Sequence, residues 1–272
     1  MLGARESHPL LPKGSRYMGE REKREQEFFD DLAAEGSATR SLLDRFSEGF
    51  YEKGDRGRLW APVWKSLDLR GAAVLDYGCG DGHFSLRLAM HGARVAGVDI
   101  SPKLIEQARA LAARAELNGN CPQFIVGDAH HTPFEDNSFD YVFGNGALHH
   151  LDLDRAYAEI ARVLRPGGKA LFMEPMYHHP LLWLLRRLTP KAHTEDERPL
   201  SLDDMERAKK WFRTCSHREH FLFAVCAAPV HLLGKKSALT VIGKLDQFDQ
   251  LMMRVQPRLR RYAWLSVLEM EK

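Results

Sequence analysis

The chain has 272 residues, of which 44% are hydrophobic and 28% are charged. These proportions are those of an ordinary globular protein, and the length is enough for one large α/β domain with additions. A formal net charge of +2 gives no indication of a nucleic-acid partner. The four cysteines form no CxxC pair, which argues against a disulfide framework and a metal site and predicts reduced thiols in a cytoplasmic setting.

The N-terminal part of the chain precedes the first clear strand. Residues 1–24 are polar and charged and predict a frayed or disordered start, without the apolar stretch of a signal peptide. Apolar residues at helical spacing predict helices over 25–34, 41–51 and 59–67. We expect residues 25–70 to form a helical lid over the end of the first strand.

From residue 71 onward, apolar strands alternate with amphipathic helices. The pattern predicts strands over 73–77, 94–98, 123–126, 139–144 and 169–174, with helices over 83–91, 102–118 and 154–164. This order predicts an α/β fold with a doubly wound, mostly parallel sheet and right-handed crossovers. In such sheets ligands bind beyond the carboxyl ends of the strands.

The C-terminal part completes the domain, which we take to span residues 71–272. We expect a sixth strand over 219–227 and a seventh over 262–270. Two insertions, at about 176–215 and 228–258, are expected to build a hydrophobic acceptor cavity.

The residues that carry chemistry are concentrated around VLDYGCGDGHFS, residues 74–85. The strand ends in Asp76 and passes into a turn with glycine at every second position, where positive φ and close approach to a ligand are both allowed. The next strand ends in Asp99, at a spacing suited to accepting hydrogen bonds from a ribose diol. A dinucleotide fingerprint requires a further glycine where His83 stands, which disfavours a nicotinamide oxidoreductase.

Four segments in order resemble the class I S-adenosylmethionine-dependent methyltransferases. They are the glycine turn just described, VAGVDIS at 95–101, VGDAHHTPFEDNSFDYVFGNGALHHL at 126–151 and ARVLRPGGKALFMEP at 161–175. The likeness is to the branch that contains quinone-biosynthesis and small-molecule methyltransferases. It implies a Rossmann-like fold of seven strands, the last one antiparallel, and S-adenosyl-L-methionine as the cofactor.

The resemblance also implies roles for individual residues. The implied cofactor-binding residues are Asp76, Gly78, Cys79, Gly80, Asp99, Ile100, Asp128, Ala129, Asn145 and Gly146. Among them, Asp99 is expected to hold the ribose and Asp128 to accept from the adenine amino group. Tyr77 stands where an apolar residue is more usual, and we expect this departure to change little.

The expected reaction is methyl transfer to the oxygen or nitrogen of a small, natural-product or lipid-like acceptor. His149 and His150 are the candidates for a general base, with structural packing as the alternative for each. Tyr177, His178 and His179 are expected to line the acceptor pocket. C-methylation of a quinone-like ring and a non-catalytic S-adenosylmethionine-binding protein remain open as alternatives.

We expect a monomer or a homodimer without nucleic acid and without stable membrane insertion. Residues 144–147, GNGA, stand where methyltransferases of planar amides or base nitrogens carry an Asn/Asp-Pro-Pro-aromatic signature. The longest apolar run, residues 221–233, is too short to span a bilayer. Arg258, Arg260 and Arg261 form a basic cluster that we expect to face solvent. Contact with an anionic acceptor or a peripheral contact with a membrane is the alternative.

Overall fold

The computed structural model describes residues 19–35, 59–60, 62–63, 66–115, 117, 120–188, 194, 196–224 and 235–272. The helix expected over residues 41–51 lies outside this part of the chain. The strands are β1 (Ala73–Tyr77), β2 (Arg94–Asp99), β3 (Gln123–Val126), β4 (Phe139–Asn145), β5 (Leu164–Pro175), β6 (Thr214–His220) and β7 (Leu265–Glu271).

The described helices lie between and after these strands. They are α1 (Glu20–Glu35), α2 (His83–Met90), α3 (Pro102–Ala113), α4 (Leu153–Val163), α5 (Pro180–Leu188), α6 (Leu202–Glu206) and α7 (Lys235–Val255), with short 3-10 turns at Leu148–His150, Arg207–Lys210 and Pro257–Tyr262. Side-chain caps mark several starts: Ser101 accepts from the N–H of Leu104, and Ser201 and Asp204 form a reciprocal capping box. No helix of the described residues is both long and apolar enough to cross a bilayer.

The strands form one seven-stranded sheet in the order β3-β2-β1-β4-β5-β7-β6. Strands β1 to β5 pair in parallel, and β7 runs antiparallel between β5 and β6. This confirms the predicted doubly wound sheet and its antiparallel last strand. The direction of winding reverses between β1 and β4, which opens a crevice at the carboxyl ends of these two strands.

The central strands of the sheet are buried on both faces, as their uninterrupted apolar sequences predict. All five residues of β1 are buried. Leu75 and Tyr77 join the core cluster that contains Tyr157 of α4, whereas Val74 joins the cluster on the opposite face with Trp60 and Leu88. Alternate side chains of one strand therefore hold helices on both faces and fix the position of the crevice.

The sixth strand lies earlier in the chain than expected. The prediction of 219–227 followed the apolar run, but β6 is the polar segment Thr214–His220 at the edge of the sheet. An edge strand has one hydrogen-bonded neighbour and needs little apolar surface. The strand ends before Phe221, which has a positive φ of 64°.

The first helix begins earlier than expected. Residues 20–24, assigned above to a frayed start, form the first turn of α1. Their charges have partners from distant parts of the chain: Arg21 donates to the carbonyl of His150 at 2.7 Å, and Arg24 pairs with Asp196 at 2.7 Å. Those partners are more than a hundred residues away, so the local pattern carries no sign of them.

Candidate active site

The glycine turn after β1 forms one wall of a cavity of about 220 Å³ at the carboxyl ends of the strands. Gly78 and Gly80 line it, with φ angles of 73° and 52°. A Cβ on Gly78 would lie 2.9 Å from the Cβ of Ala147, so a side chain at this position would clash with the segment that follows β4. The N–H of Gly78 donates to the carbonyl of Val98 at 2.9 Å, which ties the turn to β2.

Asp99 lines the same cavity from the end of β2. Its carboxylate accepts from the N–H of Gly80 at 2.8 Å and from that of Ser101 at 3.0 Å. Burial raises the pKa of Asp99 above its ordinary value, and these two hydrogen bonds oppose the rise. The backbone thus holds the carboxylate in place beside Ile100, which also lines the cavity.

Asp128 lies on the loop after β3 and is oriented by His130. One oxygen of Asp128 accepts from both the N–H and Nδ1 of His130 at 2.8 Å. Burial raises the pKa of Asp128, but the two hydrogen bonds from His130 outweigh it and bring that pKa below its ordinary value. Because His130 Nε2 accepts from the N–H of Asp152 at 3.0 Å, we place the proton of a neutral ring on Nδ1.

Glu22, Asp128 and His130 bring their ligand atoms within 4.8 Å of one another, a spacing that suits a metal ion. Both nitrogens of His130 are already in hydrogen bonds, which leaves the ring no lone pair for a metal. We therefore treat this group as a support for Asp128.

Two residues assigned to the cofactor lie behind the cavity. Asp76 is buried and accepts from the hydroxyl of Ser85 at 2.5 Å, which joins β1 to α2. Burial raises the pKa of Asp76 to about 7, and the nearby charge of Asp99 adds to the rise. Cys79 points into a core cluster with Phe124. Both support the turn from the side opposite the cavity.

Tyr77 has a larger structural part than we expected for it. Its ring is fully buried against Phe172, and its hydroxyl donates to the carbonyl of Ala129 on the loop after β3. An apolar residue would leave that carbonyl without this donor. The tyrosine therefore connects β1 to the loop that carries Asp128.

Helix α1 forms another wall of the cavity and is held at both ends. Arg21, Glu22, Glu25 and Phe29 line the cavity from this helix. Toward its C-terminal end, Asp30 accepts from the hydroxyl of Ser101 at 2.5 Å. The carboxylate of Glu25 accepts from Thr194 at 2.7 Å and lies 3.2 Å from Nδ1 of His150.

A second cavity of about 290 Å³ adjoins the first. Phe29, Asn145, Gly146 and His150 line both cavities and form the boundary between them. The second cavity is otherwise mostly apolar, with a polar corner, and its further lining residues include Phe28, Leu32, Met173, Leu182, Leu265, His149, Arg186 and Glu197. The described residues of the insertion at 228–258 are not among its lining.

His149 presents one ring nitrogen toward this second cavity. Its Nδ1 lies 2.7 Å from Oε2 of Glu174, a fully buried carboxylate that also accepts from the N–H groups of Ala147 and Leu148 at 2.9 Å. An ionised carboxylate only accepts, so Nδ1 carries the proton and Nε2 keeps its lone pair. Nε2 lies 3.7 Å from Oε1 of Glu197, which pairs with Arg186.

His150 is enclosed where the two cavities meet. Its ring packs edge-on against Phe29 with centroids 5.2 Å apart and lies 4.1 Å from the ring of His149. Its Nδ1 is buried beside Glu25 without a hydrogen bond of suitable geometry. Of the two candidate bases, His149 is the one with a hydrogen-bonded carboxylate behind it.

Asn145 is oriented by a residue that sequence reasoning placed only in the lid. The indole Nε1 of Trp60 donates to Oδ1 of Asn145 at 2.8 Å. This bond directs the amide NH₂ of Asn145 away from Trp60, at the boundary of the two cavities.

The three residues expected to bind the acceptor lie outside both cavities. Tyr177 and His178 are exposed after β5, and Tyr177 keeps 51% of its surface accessible. His179 is buried at the start of α5, where its Nε2 lies 3.2 Å from the carbonyl of Leu222 and its Nδ1 accepts from the N–H of Leu181 at 3.2 Å. The chain turns away from the crevice after Pro175, and the segments 180–188 and 196–199 supply the lining in their place.

Comparison with known proteins gives this geometry a family. The family described as Methyltransferase domain matches residues 75–172, which hold the glycine turn, Asp99, Asp128 and Asn145. Residues 75–172 carry a class I S-adenosylmethionine-dependent methyltransferase domain. The donor set of the first cavity fits the cofactor of this family, because it offers two strand-end carboxylates and close glycine backbone to an adenosyl group.

Curated methyltransferases match this chain over part of their length. Malonyl-[acyl-carrier protein] O-methyltransferase of Yersinia pestis is 38% identical over 103 residues, which cover 38% of this chain and 36% of that enzyme. Norajmaline N-methyltransferase of Rauvolfia serpentina is 26% identical over 195 residues, which cover 65% of this chain and 64% of that one. The matches thus span less than two thirds of these relatives.

Solved methyltransferase structures share the fold over most of the chain. Phosphoethanolamine N-methyltransferase 2 of Haemonchus contortus, in complex with S-adenosyl-L-methionine, has a TM-score of 0.62 at 20% identity, covering 90% of this chain and 60% of that one. Magnesium protoporphyrin IX methyltransferase of Synechocystis has a TM-score of 0.58 at 16% identity, covering 93% and 100%. At such identities the likeness concerns the fold alone.

Proposed function

We propose that this chain transfers the methyl group of S-adenosylmethionine to a small-molecule acceptor, with oxygen or nitrogen as the favoured atom. The observation that carries the proposal is the boundary shared by the two cavities. A cavity with acids at strand ends adjoins an apolar cavity with a carboxylate-supported histidine, and Phe29, Asn145, Gly146 and His150 belong to both. Methyl transfer requires such adjoining sites because donor and acceptor must meet in line.

The first cavity would hold the cofactor through residues already in position. Asp99 would accept from the ribose hydroxyls and Asp128 from the adenine amino group, with the N–H of Ala129 as a further donor. Gly78 and Gly80 let the backbone approach the methionine part. When bound, the cofactor supplies an electrophilic methyl group on a sulfonium, so the chain need not activate the donor.

The second cavity would orient the acceptor and take its proton. Phe28, Leu32 and the other apolar residues exclude water from the acceptor. Nε2 of His149 is free to accept a proton from a hydroxyl or ammonium group, while Glu174 holds the ring from behind. The imidazolium so formed lies between the carboxylates of Glu174 and Glu197, which stabilise its charge.

Other parts of the proposal follow from the same architecture. Helix α1 would act as a lid together with Thr194, Asp196 and Glu197, because Glu25 binds Thr194, Arg24 binds Asp196, and Glu197 lines the second cavity. We further propose a cytoplasmic protein that works as a monomer or homodimer without nucleic acid. The thiols of Cys79, Cys121 and Cys215 are free, as a reducing compartment requires.

The alternatives are C-methylation of a quinone-like ring and a protein that binds the cofactor without turnover. Calorimetric titration with S-adenosylmethionine tests the cofactor cavity. Formation of S-adenosylhomocysteine with a panel of phenols, carboxylic acids, amines and hydroquinones then tests the reaction. No binding contradicts the proposal; binding without turnover across the panel favours the binding protein; and turnover with hydroquinones that gives a ring-methylated product favours C-methylation.

A further inference from the structure

Helix α7 carries an exposed apolar stripe. Within the described part of the chain, its one recorded ring contact joins Phe248 to Phe223, with centroids 6.4 Å apart, and Phe223 is itself 47% accessible. Its residues Val241, Phe248, Leu251 and Val255 are exposed, with 49% of the surface accessible for Phe248, 54% for Leu251 and 74% for Val255. At about 100° per residue these four side chains, together with Lys244, fall within roughly 80° of the helix circumference. They form one continuous ridge along the helix.

The opposite side of α7 is the one that the fold uses. Ile242 and Leu245 pack into the core cluster with Trp264, and Met253 packs with Leu222 and Ala263. Helix α7 therefore has two apolar faces: one packs against the core, and the ridge is exposed.

The charged residues of α7 follow the same division, with the acids buried and the bases exposed. The acids of this helix, Asp246 and Asp249, are both buried, and Asp249 accepts from the backbone N–H groups of Phe223 and Ala224. Exposed bases flank the ridge and continue into the following 3-10 turn: Lys244, Arg254, Arg258, Arg260 and Arg261. Of these five, Arg260 alone comes within ion-pair distance of a described acid, 3.9 Å from Glu219.

We propose that this face, consisting of Val241, Lys244, Phe248, Leu251, Arg254, Val255, Arg258 and Arg261, binds the surface of an anionic lipid bilayer. Exposed apolar side chains beside uncompensated bases suit the boundary between acyl chains and anionic headgroups. A second copy of the chain docking face to face would bring the same bases against each other, which opposes a dimer through this surface. The inference is independent of the methyl acceptor.

A second helix on the same side of the sheet supports the assignment. Leu182 of α5 and Ile242 of α7 bury into the same core cluster. The outer surface of α5 exposes Trp183, Leu184 and Leu188, with the guanidinium of Arg187 stacked 3.9 Å over the Trp183 ring. This layer thus carries apolar and basic residues at its surface in two separate elements.

The test is co-sedimentation of the full chain with vesicles. One set contains phosphatidylcholine alone, and the other contains about a quarter phosphatidylglycerol. We expect binding to the anionic set only, falling as salt rises because screening shortens the reach of the bases. The Phe248→Ser/Leu251→Ser variant and the Arg258→Gln/Arg261→Gln variant should each lower the partition coefficient on the order of tenfold or more, since each base near such a surface is worth roughly fivefold.

Two substitutions on another helix serve as controls for the loss of any exposed apolar or basic side chain. Met90→Ser removes an apolar side chain that is 75% accessible on α2, and Arg87→Gln removes an exposed base of the same helix; both should bind vesicles as the native chain does. Binding of S-adenosylhomocysteine reports that each variant is folded. The proposal is overturned if the native chain stays in the supernatant with anionic vesicles, or if the α7 variants sediment like the native chain. A dimer in sedimentation equilibrium that Phe248→Ser/Leu251→Ser dissociates also overturns it, in favour of a second copy.

Discussion

Replacing His149 by glutamine tests the proposed proton acceptor most directly. Glutamine keeps a polar side chain of moderate length that can still donate to Glu174, but it has no lone pair of comparable basicity. The structure places a carboxylate 2.7 Å from Nδ1 of His149 and a second one 3.7 Å from Nε2. Both carboxylates stabilise the imidazolium that forms. The rate lost in His149→Gln therefore measures the base together with this stabilisation.

The size of the effect follows from that arrangement. A positioned general base contributes ~10²–10⁴-fold to rate, and two flanking carboxylates lead us to expect about 10³-fold for His149→Gln. Cofactor affinity should change by less than about twofold, because His149 lines the second cavity and not the first. The loss should thus fall on turnover alone.

The assay is the rate of S-adenosylhomocysteine formation with the best acceptor of the panel, beside calorimetry for the cofactor. His178→Gln is the matched control, because His178 is an exposed histidine outside both cavities and its loss should change neither quantity. Native turnover in His149→Gln refutes the reasoning. A fall in cofactor affinity as large as the fall in turnover also refutes it, since that assigns His149 a structural part.

Three further substitutions test other contacts. Asp99→Ala should weaken calorimetric binding of S-adenosylhomocysteine by ~1.5–3 kcal/mol, the range for hydrogen bonds to charged groups, and unchanged affinity contradicts the ribose assignment. Burial raises the pKa of Asp76 to about 7, so the stability that its retained proton provides is fully present below about pH 4 and is lost as pH rises through 7. In urea titrations at pH 4 and pH 8, the free energy of unfolding of the native chain should fall by up to about 4 kcal/mol more than that of Asp76→Asn. An equal fall in the two proteins contradicts the reasoning. Trp60→Phe should lower the free energy of unfolding by ~1–3 kcal/mol, because it leaves Oδ1 of Asn145 without its donor. Trp183→Phe, at an exposed tryptophan, should leave the free energy of unfolding unchanged. Equal melting temperatures for Trp60→Phe and the native chain contradict the contact.

The two candidate histidines show how tertiary contacts separate residues that the sequence treats alike. His149 and His150 are neighbours in the chain, and sequence reasoning ranked His150 slightly higher as a base. In the structure, His149 is backed by Glu174 of β5 and lines only the second cavity, whereas His150 is enclosed by Phe29 and Glu25 of α1. The proposal therefore assigns proton transfer to His149 and the boundary between the cavities to His150.

The sequence by itself determined the features that depend on short stretches of chain. Glycine at 78 and 80 gives the turn its positive φ, Ser101 with Pro102 starts a helix, and uninterrupted apolar strands predict a sheet buried on both faces. Asp99 is the last residue of β2 and Asp128 lies two residues after β3, so their place at the carboxyl edge of the sheet follows from the parallel order. These features arise from backbone sterics, capping and burial, which act between neighbouring residues.

The tertiary structure alone decided which distant residues complete the site. Glu25 meets His150 and Thr194, Trp60 meets Asn145, and Glu197 meets His149. Each of these contacts joins segments separated by dozens of residues or more, and no local pattern encodes which polar side chain another will meet. The polar strand β6 was missed for a related reason, since its place depends on pairing with β7 and not on an apolar pattern of its own.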